Sequence, residues 1–287
     1  MISRRQFLAG LGAGIGATAA HGLPSAQGAE APPAAARPGG KVGIEWLGHG
    51  SFAFTSCRRK KILLDPWIAT NPRCPGKYKK PKGFGSVDLI LWTHGHVDHF
   101  MLSDAKELIA GYSPKIVAPW ELSFFIKSEI PRADTKTFTL ANKGATAELD
   151  GVKVTMVEAF HSAGAQLTGF RGTNRFVGEA VGYILEFENG LKVYHSGDTS
   201  LMGDMETIIG KFYKPDVAIL PIGGVFTMGP AEAAYACKLI GPKVAIPEHY
   251  GTFPVLTQSA DGFREKVRKL APRVKVMELT VGVEAAV

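Results

Sequence analysis

The segment His94-Gly95-His96-Val97-Asp98-His99 constrains this 287-residue chain more than any other feature. Three imidazoles and a carboxylate fall within six residues, directly after the apolar run Val87–Trp92. A run of that kind reads as a strand buried on both faces, so the polar cluster must sit where a buried strand ends. A lone histidine is usually a satisfied core or surface residue. Three with a carboxylate in one turn are costly to bury unpaired, and they suit a borderline divalent ion such as zinc. In an extended stretch, residues two apart project to the same side. His94 and His96 can therefore grip one ion, while Asp98 and His99, one turn on, can reach a second. Gly95 removes side-chain bulk between the first two.

The rest of the chain supplies a frame for such a centre. Val42–Leu47, Phe52–Thr55 and Ile62–Leu64 read as strands of a meander with a turn over residues 56–59. A helix is predicted from Ser103 to Ala110, ended by Gly111, then a strand at Ile116–Ala118 and a helix over Glu121–Lys127. The second half repeats the alternation. Val152–Val157, Ala180–Phe187 and Leu191–Tyr194 are strand candidates, with Glu188-Asn189-Gly190 as a hairpin turn. Val217–Pro221 is another buried strand, and Pro230 opens a helix that runs to Leu239 before Gly241-Pro242. Val244–Ile246, a helix from Gln258 to Leu270 and Val274–Leu279 complete the chain. Strands with intervening helices in both halves predict two packed sheets with helices outside, a four-layer αββα sandwich of the α/β (α+β) class. The basic stretch Lys77–Lys82 lacks either periodicity. It reads as a solvated loop, or as a loop near the site that attracts anionic substrate.

The H-x-H-x-D-H pattern resembles the signature of the metallo-β-lactamase superfamily. Four further elements match in order: Asp65 in Leu63-Leu64-Asp65-Pro66, His161 in Ala159-Phe160-His161-Ser162, Asp198 in His195-Ser196-Gly197-Asp198-Thr199, and His249 in Pro247-Glu248-His249-Tyr250. The resemblance implies that His94, His96 and His161 bind a first metal and that Asp98, His99 and His249 bind a second. It implies that Asp198 bridges the two and that Asp65 orients a ligand histidine through its free ring nitrogen. His49 and His195 are left to contact substrate or to stand behind the ligands.

A closer similarity covers nearly all of residues 42–285. It is carried by Trp46-Leu47-Gly48-His49, His195-Ser196-Gly197-Asp198-Thr199, Leu220-Pro221-Ile222-Gly223 and Phe226-Thr227-Met228-Gly229-Pro230, among others. These are similar to uncharacterised metal-dependent hydrolases related to the ascorbate-6-phosphate lactonase and N-acylphosphatidylethanolamine phospholipase D branches.

The chemistry implied is hydrolysis of an ester, lactone, amide or phosphodiester in a small-molecule substrate. Two divalent ions, zinc with manganese or iron as alternatives, would activate a shared water, with Asp98 orienting it and accepting its proton. The alternative is a non-hydrolytic metal-binding or redox member of the same fold. The redox type, however, resembles a pattern with a carboxylate where His96 stands and carries a flavin domain. A nucleic-acid-processing role would need substrate-gripping segments that the chain lacks.

Ser3-Arg4-Arg5-Gln6-Phe7-Leu8, the mildly apolar run to Ala20 and the small residues after Pro24 resemble a twin-arginine signal peptide over residues 1–29. Cleavage is expected between Ala26 and Glu30. The export machinery is then a partner, and the destination periplasmic or otherwise exported. The apolar run is too short to span a bilayer, so no stable membrane span is expected after signal removal. Residues 30–41, rich in Ala, Pro and Gly, read as a disordered linker, and 42–287 as the hydrolase domain. The net charge of +7 suits an anionic substrate or surface. Three cysteines, Cys57, Cys74 and Cys237, show no C-x-x-C spacing and are expected as free thiols.

Overall fold

The computed structural model describes residues 39–131, 138–140, 142–166 and 173–287, and these build two seven-stranded sheets. Residues 1–38, which include the expected signal peptide and most of the expected linker, lie outside the described residues. In the first half, β1 (Gly43–Gly48), β2 (Ser51–Thr55) and β3 (Lys61–Leu64) form the expected antiparallel meander. β4 (Leu89–Leu91), β5 (Lys115–Ala118) and β6 (Phe138–Leu140) extend it in parallel, with α1 (Leu102–Tyr112) and α2 (Trp120–Glu129) as crossovers.

The second sheet begins with β7 (Thr146–Leu149) and β8 (Val152–Glu158), followed by a separate two-stranded ribbon of β9 (Ala165–Gln166) and β10 (Asn174–Arg175). It continues through β11 (Val181–Glu186) and β12 (Lys192–His195) in antiparallel pairing. β13 (Val217–Pro221), β14 (Val244–Glu248) and β15 (Lys275–Val276) complete it in parallel, with α3 (Pro230–Ile240) and α4 (Asp261–Leu270) between them. β16 (Glu284–Ala286) then crosses to the other sheet and pairs with β1.

Side-chain alternation sorts the core. Ile44, Trp46, Phe52 and Phe54 point into one cluster with Met156, Tyr183, Leu185 and Val193 of the other sheet. Leu47, Ala53, Ile90 and Trp92 point the opposite way and pack on Leu108, Leu122 and Ile126 of α1 and α2. Phe263 and Val267 of α4 and Ala233 and Cys237 of α3 join the cluster of the second sheet. The result is the predicted four-layer sandwich. Burying a side chain such as Phe52 or Tyr183 contributes roughly 1.5–3 kcal/mol each, enough to fix which face of each strand is inward.

Several local expectations change. Helix α1 passes through Gly111 and stops one residue later at Tyr112, where Ser113 takes the left-handed conformation (φ 49°) and its N–H donates to Ile109. β15 is only two residues of the expected Val274–Leu279, because its ladder with β14 ends at Val276. The segment Met205–Tyr213, unassigned by periodicity, forms a π-helix that buries Met205 and Ile209. The three cysteines are free thiols, and burial pushes Cys74 up to about 11 and Cys237 up to about 12. No helix among the described residues is long and apolar enough to cross a membrane.

The basic stretch is largely solvent-exposed, as the first of its two readings expects, and none of it lines the cavity over the candidate site. It folds as two short 3-10 turns, Gly76–Tyr78 and Pro81–Phe84, that stack Tyr78 on Phe84 at 4.4 Å. Tyr78 donates to the buried Glu45 (2.8 Å), Lys77 pairs with the same carboxylate (3.0 Å), and Lys79 donates to the carbonyls of Ile68 and Ala69. Lys77 and Tyr78 thereby tie the stretch to β1, while Lys80 and Lys82 stay exposed.

Candidate metal centre

β1, β3 and β4 run in one direction within the first sheet, and β8, β12, β13 and β14 do so within the second. The chain therefore leaves each of these strands at one edge of its sheet. His49 follows β1, Asp65 follows β3, and the His94–His99 segment follows β4. His161 follows β8, Asp198 follows β12, and His249 follows β14. Three of these residues hold left-handed backbone: His49 (φ 57°), Asp65 (φ 45°) and His249 (φ 58°). Non-glycine residues avoid that region, at a cost of about 1–3 kcal/mol each, unless the surroundings fix it. Here Trp46 donates its indole N–H to the His49 carbonyl (2.7 Å), and the His249 N–H donates to the same carbonyl (3.2 Å).

The H-x-H-x-D-H segment turns sharply at His96, whose carbonyl accepts the N–H of His99 (3.0 Å) and of Phe100 (2.7 Å). Gly95 is required less by its neighbouring ligands than by the ribbon behind it. A Cβ there would lie 2.5 Å from Val177 Cγ2 and 3.1 Å from the Ala165 nitrogen.

Two groups of side chains converge. In the first, His94 Nε2 and His161 Nε2 lie 3.0 and 3.2 Å from His96 Nδ1. Burial is the main cause that holds His94 well below its ordinary range and His96 down to about 4. His96 Nδ1 can share a proton with only one of the His94 and His161 nitrogens, so a cation between them would satisfy all three at once. The second group is Asp98, His99 and His249, with His49 behind Asp98; the ligand atoms of these four lie within 4.8 Å of one another. His49 Nε2 lies 3.1 Å from Asp98 Oδ2. Burial opposes charge on Asp98, yet His49 and the nearby His99 outweigh it and hold the carboxyl well below the usual range.

Asp198 stands between the groups. Its Oδ2 is 3.6 Å from His161 Nε2 of the first, and 3.3 and 3.2 Å from His99 Nε2 and His249 Nε2 of the second. Its Oδ1 is buried without a hydrogen-bond partner among the described residues. Burial disfavours charge on His99, but Asp198 and Asp65 outweigh it and raise its imidazole well above the ordinary range. A metal at His99 Nε2 would displace that proton. Neutral imidazole nitrogens, ionised carboxylates and an orphaned carboxylate oxygen at one point are a donor set that fits divalent ions of the zinc type.

Behind both groups lies Asp65, fully buried. Its Oδ1 accepts the Thr93 N–H (2.7 Å), and its Oδ2 accepts the Thr93 hydroxyl (2.6 Å) and faces His99 Nδ1 (2.9 Å). The Thr93 hydroxyl in turn lies 2.9 Å from His94 Nδ1. Thr93 was not singled out by sequence, although it directly precedes the motif. Glu248 is the other residue missed. It ends the otherwise apolar β14, is fully buried, and neither of its carboxyl oxygens has a hydrogen-bond partner among the described residues. Burial raises it well above the ordinary carboxylate range.

A cavity of about 650 Å³ opens over the centre, lined by His96, Asp98, His161, Asp198 and His249. His49 and His195 are not part of its wall, and both are 0% exposed. His195 accepts the Gly197 N–H at Nδ1 (3.1 Å) and packs edge-on against Phe52. Burial pulls its pKa down to about 3, so the folded state excludes a proton that the unfolded state binds below about 6.5. Stability from this group is complete above that value and is lost as pH falls towards 3. In metal-free protein, His195→Gln is expected to flatten the acid limb between pH 6 and 4 by up to about 1.4 kcal/mol per pH unit. Urea unfolding at a series of pH values checks this, and parallel curves for parent and variant would exclude it.

A family profile described as the β-lactamase superfamily domain matches residues 60–250, a span that holds Asp65 and every candidate ligand from His94 to His249. The chain belongs to the metallo-β-lactamase superfamily. It is 41% identical over 244 residues to a UPF0173 metal-dependent hydrolase of Roseiflexus sp., an alignment covering 85% of this chain and 97% of that one. A UPF0173 metal-dependent hydrolase of Rubrobacter xylanophilus is 40% identical over 245 residues, covering 85% and 96%. Among solved structures, Igni18, a metallo hydrolase of Ignicoccus hospitalis, superposes with a TM-score of 0.71 at 31% identity, covering 86% of this chain and 98% of that one. The protein is thus a metal-dependent hydrolase of this superfamily.

Proposed function

We propose that the protein is a binuclear hydrolase that cleaves an ester, lactone, amide or phosphodiester bond of a small molecule. The observation that carries this reading is the position of Asp198, one carboxylate oxygen within 3.6 Å of imidazole nitrogens from both groups. His94, His96 and His161 would hold one ion, and Asp98, His99 and His249 the other, with Asp198 shared. Bound metal would supply Lewis acidity that lowers the pKa of water and stabilises charge developing on a substrate oxygen.

The chain's own groups do the rest. Asp98 reaches the cavity and is anchored from behind by His49, which fixes its orientation. It is placed to accept the proton of the attacking water and return it to the leaving group, a role worth about a hundredfold or more. His96, His161 and His249 on the cavity wall set where the scissile group can lie. The buried Asp65 and Glu248 are out of reach of substrate.

The test is metal content together with turnover. Full-length protein reconstituted separately with zinc, manganese and iron is expected to bind two equivalents and to hydrolyse p-nitrophenyl esters or bis-p-nitrophenyl phosphate. Chelation should remove that activity and readdition restore it. One equivalent under saturating metal, or turnover insensitive to chelator, would sink the binuclear reading.

A further inference from the structure

The cavity over the metal centre has two chemically different parts. One is the set of His and Asp side chains; apart from Ser162, the remaining lining is apolar, made by Val225, Phe226, Phe253 and Val255. Val225 is 69% exposed, Phe226 58% and Val255 56%, an unusual amount of bare apolar surface beside a polar site.

These side chains sit on two loops that leave adjacent parallel strands, β13 and β14, and the loops are tied together. The Thr257 N–H donates to the Gly223 carbonyl (2.9 Å), the Gly251 N–H to Thr257 (2.8 Å), and the Met228 N–H to Thr199 (3.0 Å), the residue after Asp198. Val225 is held at φ 51°, a conformation that β-branched residues rarely adopt. The turn is pinned on either side, since the Gly224 N–H donates to Met228 and the Thr227 N–H donates to Gly224. Strain of this kind persists where the surroundings impose it, and it gathers at ligand-binding loops. Its effect here is to present two consecutive apolar side chains to solvent at the rim of the site.

Beyond the metals it would hold, the described part of this wall carries no cationic lysine or arginine side chain. The lysine of the neighbouring groove, Lys143, is paired with Glu158 (2.5 Å) and Glu179 (2.7 Å). Arg73 donates to the Gly251 carbonyl and lies over Trp46, and Lys77 and Lys79 are engaged as described above. Recognition of a phosphate or carboxylate group normally uses such side chains.

We infer that the site takes a neutral substrate whose apolar acyl group lies on Val225, Phe226, Phe253 and Val255, beside the scissile carbonyl. This rests on the hydrolase reading above. Water adds at the acyl carbon, the acyl–oxygen or acyl–nitrogen bond breaks, and the alcohol or amine leaves with the proton while the acid keeps the hydroxyl.

The experiment uses metal-loaded full chain and p-nitrophenyl esters with one leaving group and acyl chains from acetyl to octanoyl. kcat/KM is expected to rise about threefold or more per added methylene until the wall is covered. The anionic succinyl half-ester should be at least tenfold poorer than the butyryl ester. In the double variant Phe226→Ser/Val255→Ser, the octanoyl-to-acetyl ratio should collapse by tenfold or more.

A second measurement needs no turnover. Nile red, a neutral apolar dye, should bind metal-free parent at least tenfold more tightly than the double variant, and octanamide should displace it. Equal dye affinity in parent and variant overturns the inference whatever the activity, as does a flat chain-length profile or a preference for the succinyl ester. Dye binding that discriminates the two proteins, with no ester cleaved under any metal, would overturn the assignment of an acyl ester substrate and leave the apolar wall standing.

Discussion

Replacement of Asp198 by alanine is expected to lower kcat/KM by more than about a thousandfold and to reduce bound metal from two equivalents to one or none. The reason is geometric. Among the described residues, Asp198 is the one carboxylate whose oxygen faces imidazoles of both groups, at 3.6 Å from His161 and at 3.3 and 3.2 Å from His99 and His249. Its removal takes a negative charge from the shared position, so two cations held there would repel without a counter-charge between them. Metal assistance is worth several kcal/mol, and about 4 kcal/mol is a factor of a thousand in rate. Asp98→Ala provides the contrast. It removes a group from the second set only and leaves His94, His96 and His161 in place, so about one tightly held equivalent should remain. Metal analysis of dialysed protein, alongside kcat/KM on one activated ester, separates the two. Two equivalents retained in Asp198→Ala would show that the centre is not bridged by this residue.

The contrast between these two aspartates also shows what the sequence could reveal. Asp98 declares itself, because it lies inside a dense motif after a buried strand. Asp198 stands in a Gly-Asp turn of a kind common in proteins, and only its order among the other matched elements points to it. The structure explains why that order is informative: each of these residues follows a strand that points to the same edge of its sheet, so the connections of the fold gather them. Apolar periodicity likewise marked most strands to within a residue or two, since each is buried on a definite face. It failed where pairing rather than composition makes the element. β16, Glu284–Ala286, has two alanines and a glutamate and exists because Gly43–Glu45 offers it an edge. The apolar cavity wall was illegible for a different reason. Val225, Phe226 and Val255 are scattered loop residues in sequence, and only the linkage of the two loops brings them to one rim. In the basic stretch the exposure of the lysines was legible, but the tie of Lys77 to Glu45 was not, because that partner lies 32 residues earlier in the sequence.

Asp65→Asn is expected to leave a folded protein whose metal affinity is lower by about ten- to a hundredfold. Asp65 Oδ2 faces His99 Nδ1 at 2.9 Å and accepts the Thr93 hydroxyl at 2.6 Å, and that hydroxyl lies 2.9 Å from His94 Nδ1. Since Thr93 gives its proton to Asp65, its oxygen accepts from His94. One carboxylate therefore places a proton on Nδ1 of both histidines, which leaves Nε2 of His94 free to ligate and Nε2 of His99 free once a metal displaces its proton. Asparagine keeps the shape and can keep the bond from the Thr93 N–H, but its NH2 replaces Oδ2. An N–H facing His99 Nδ1 demands the opposite tautomer, with the proton on Nε2, where the metal would bind. The same NH2 can donate to Thr93, which frees the hydroxyl proton to turn towards His94 Nδ1 and reverse that tautomer too. Asp65→Ala differs in kind: it leaves buried donors unsatisfied and should lower stability by about 3–5 kcal/mol. Nitrogen-15 spectra of the histidine rings in metal-free protein, read beside a zinc titration, distinguish these outcomes. Weaker binding with unchanged tautomers would place the role of Asp65 in packing, and unchanged binding in Asp65→Asn would remove it from the metal centre altogether.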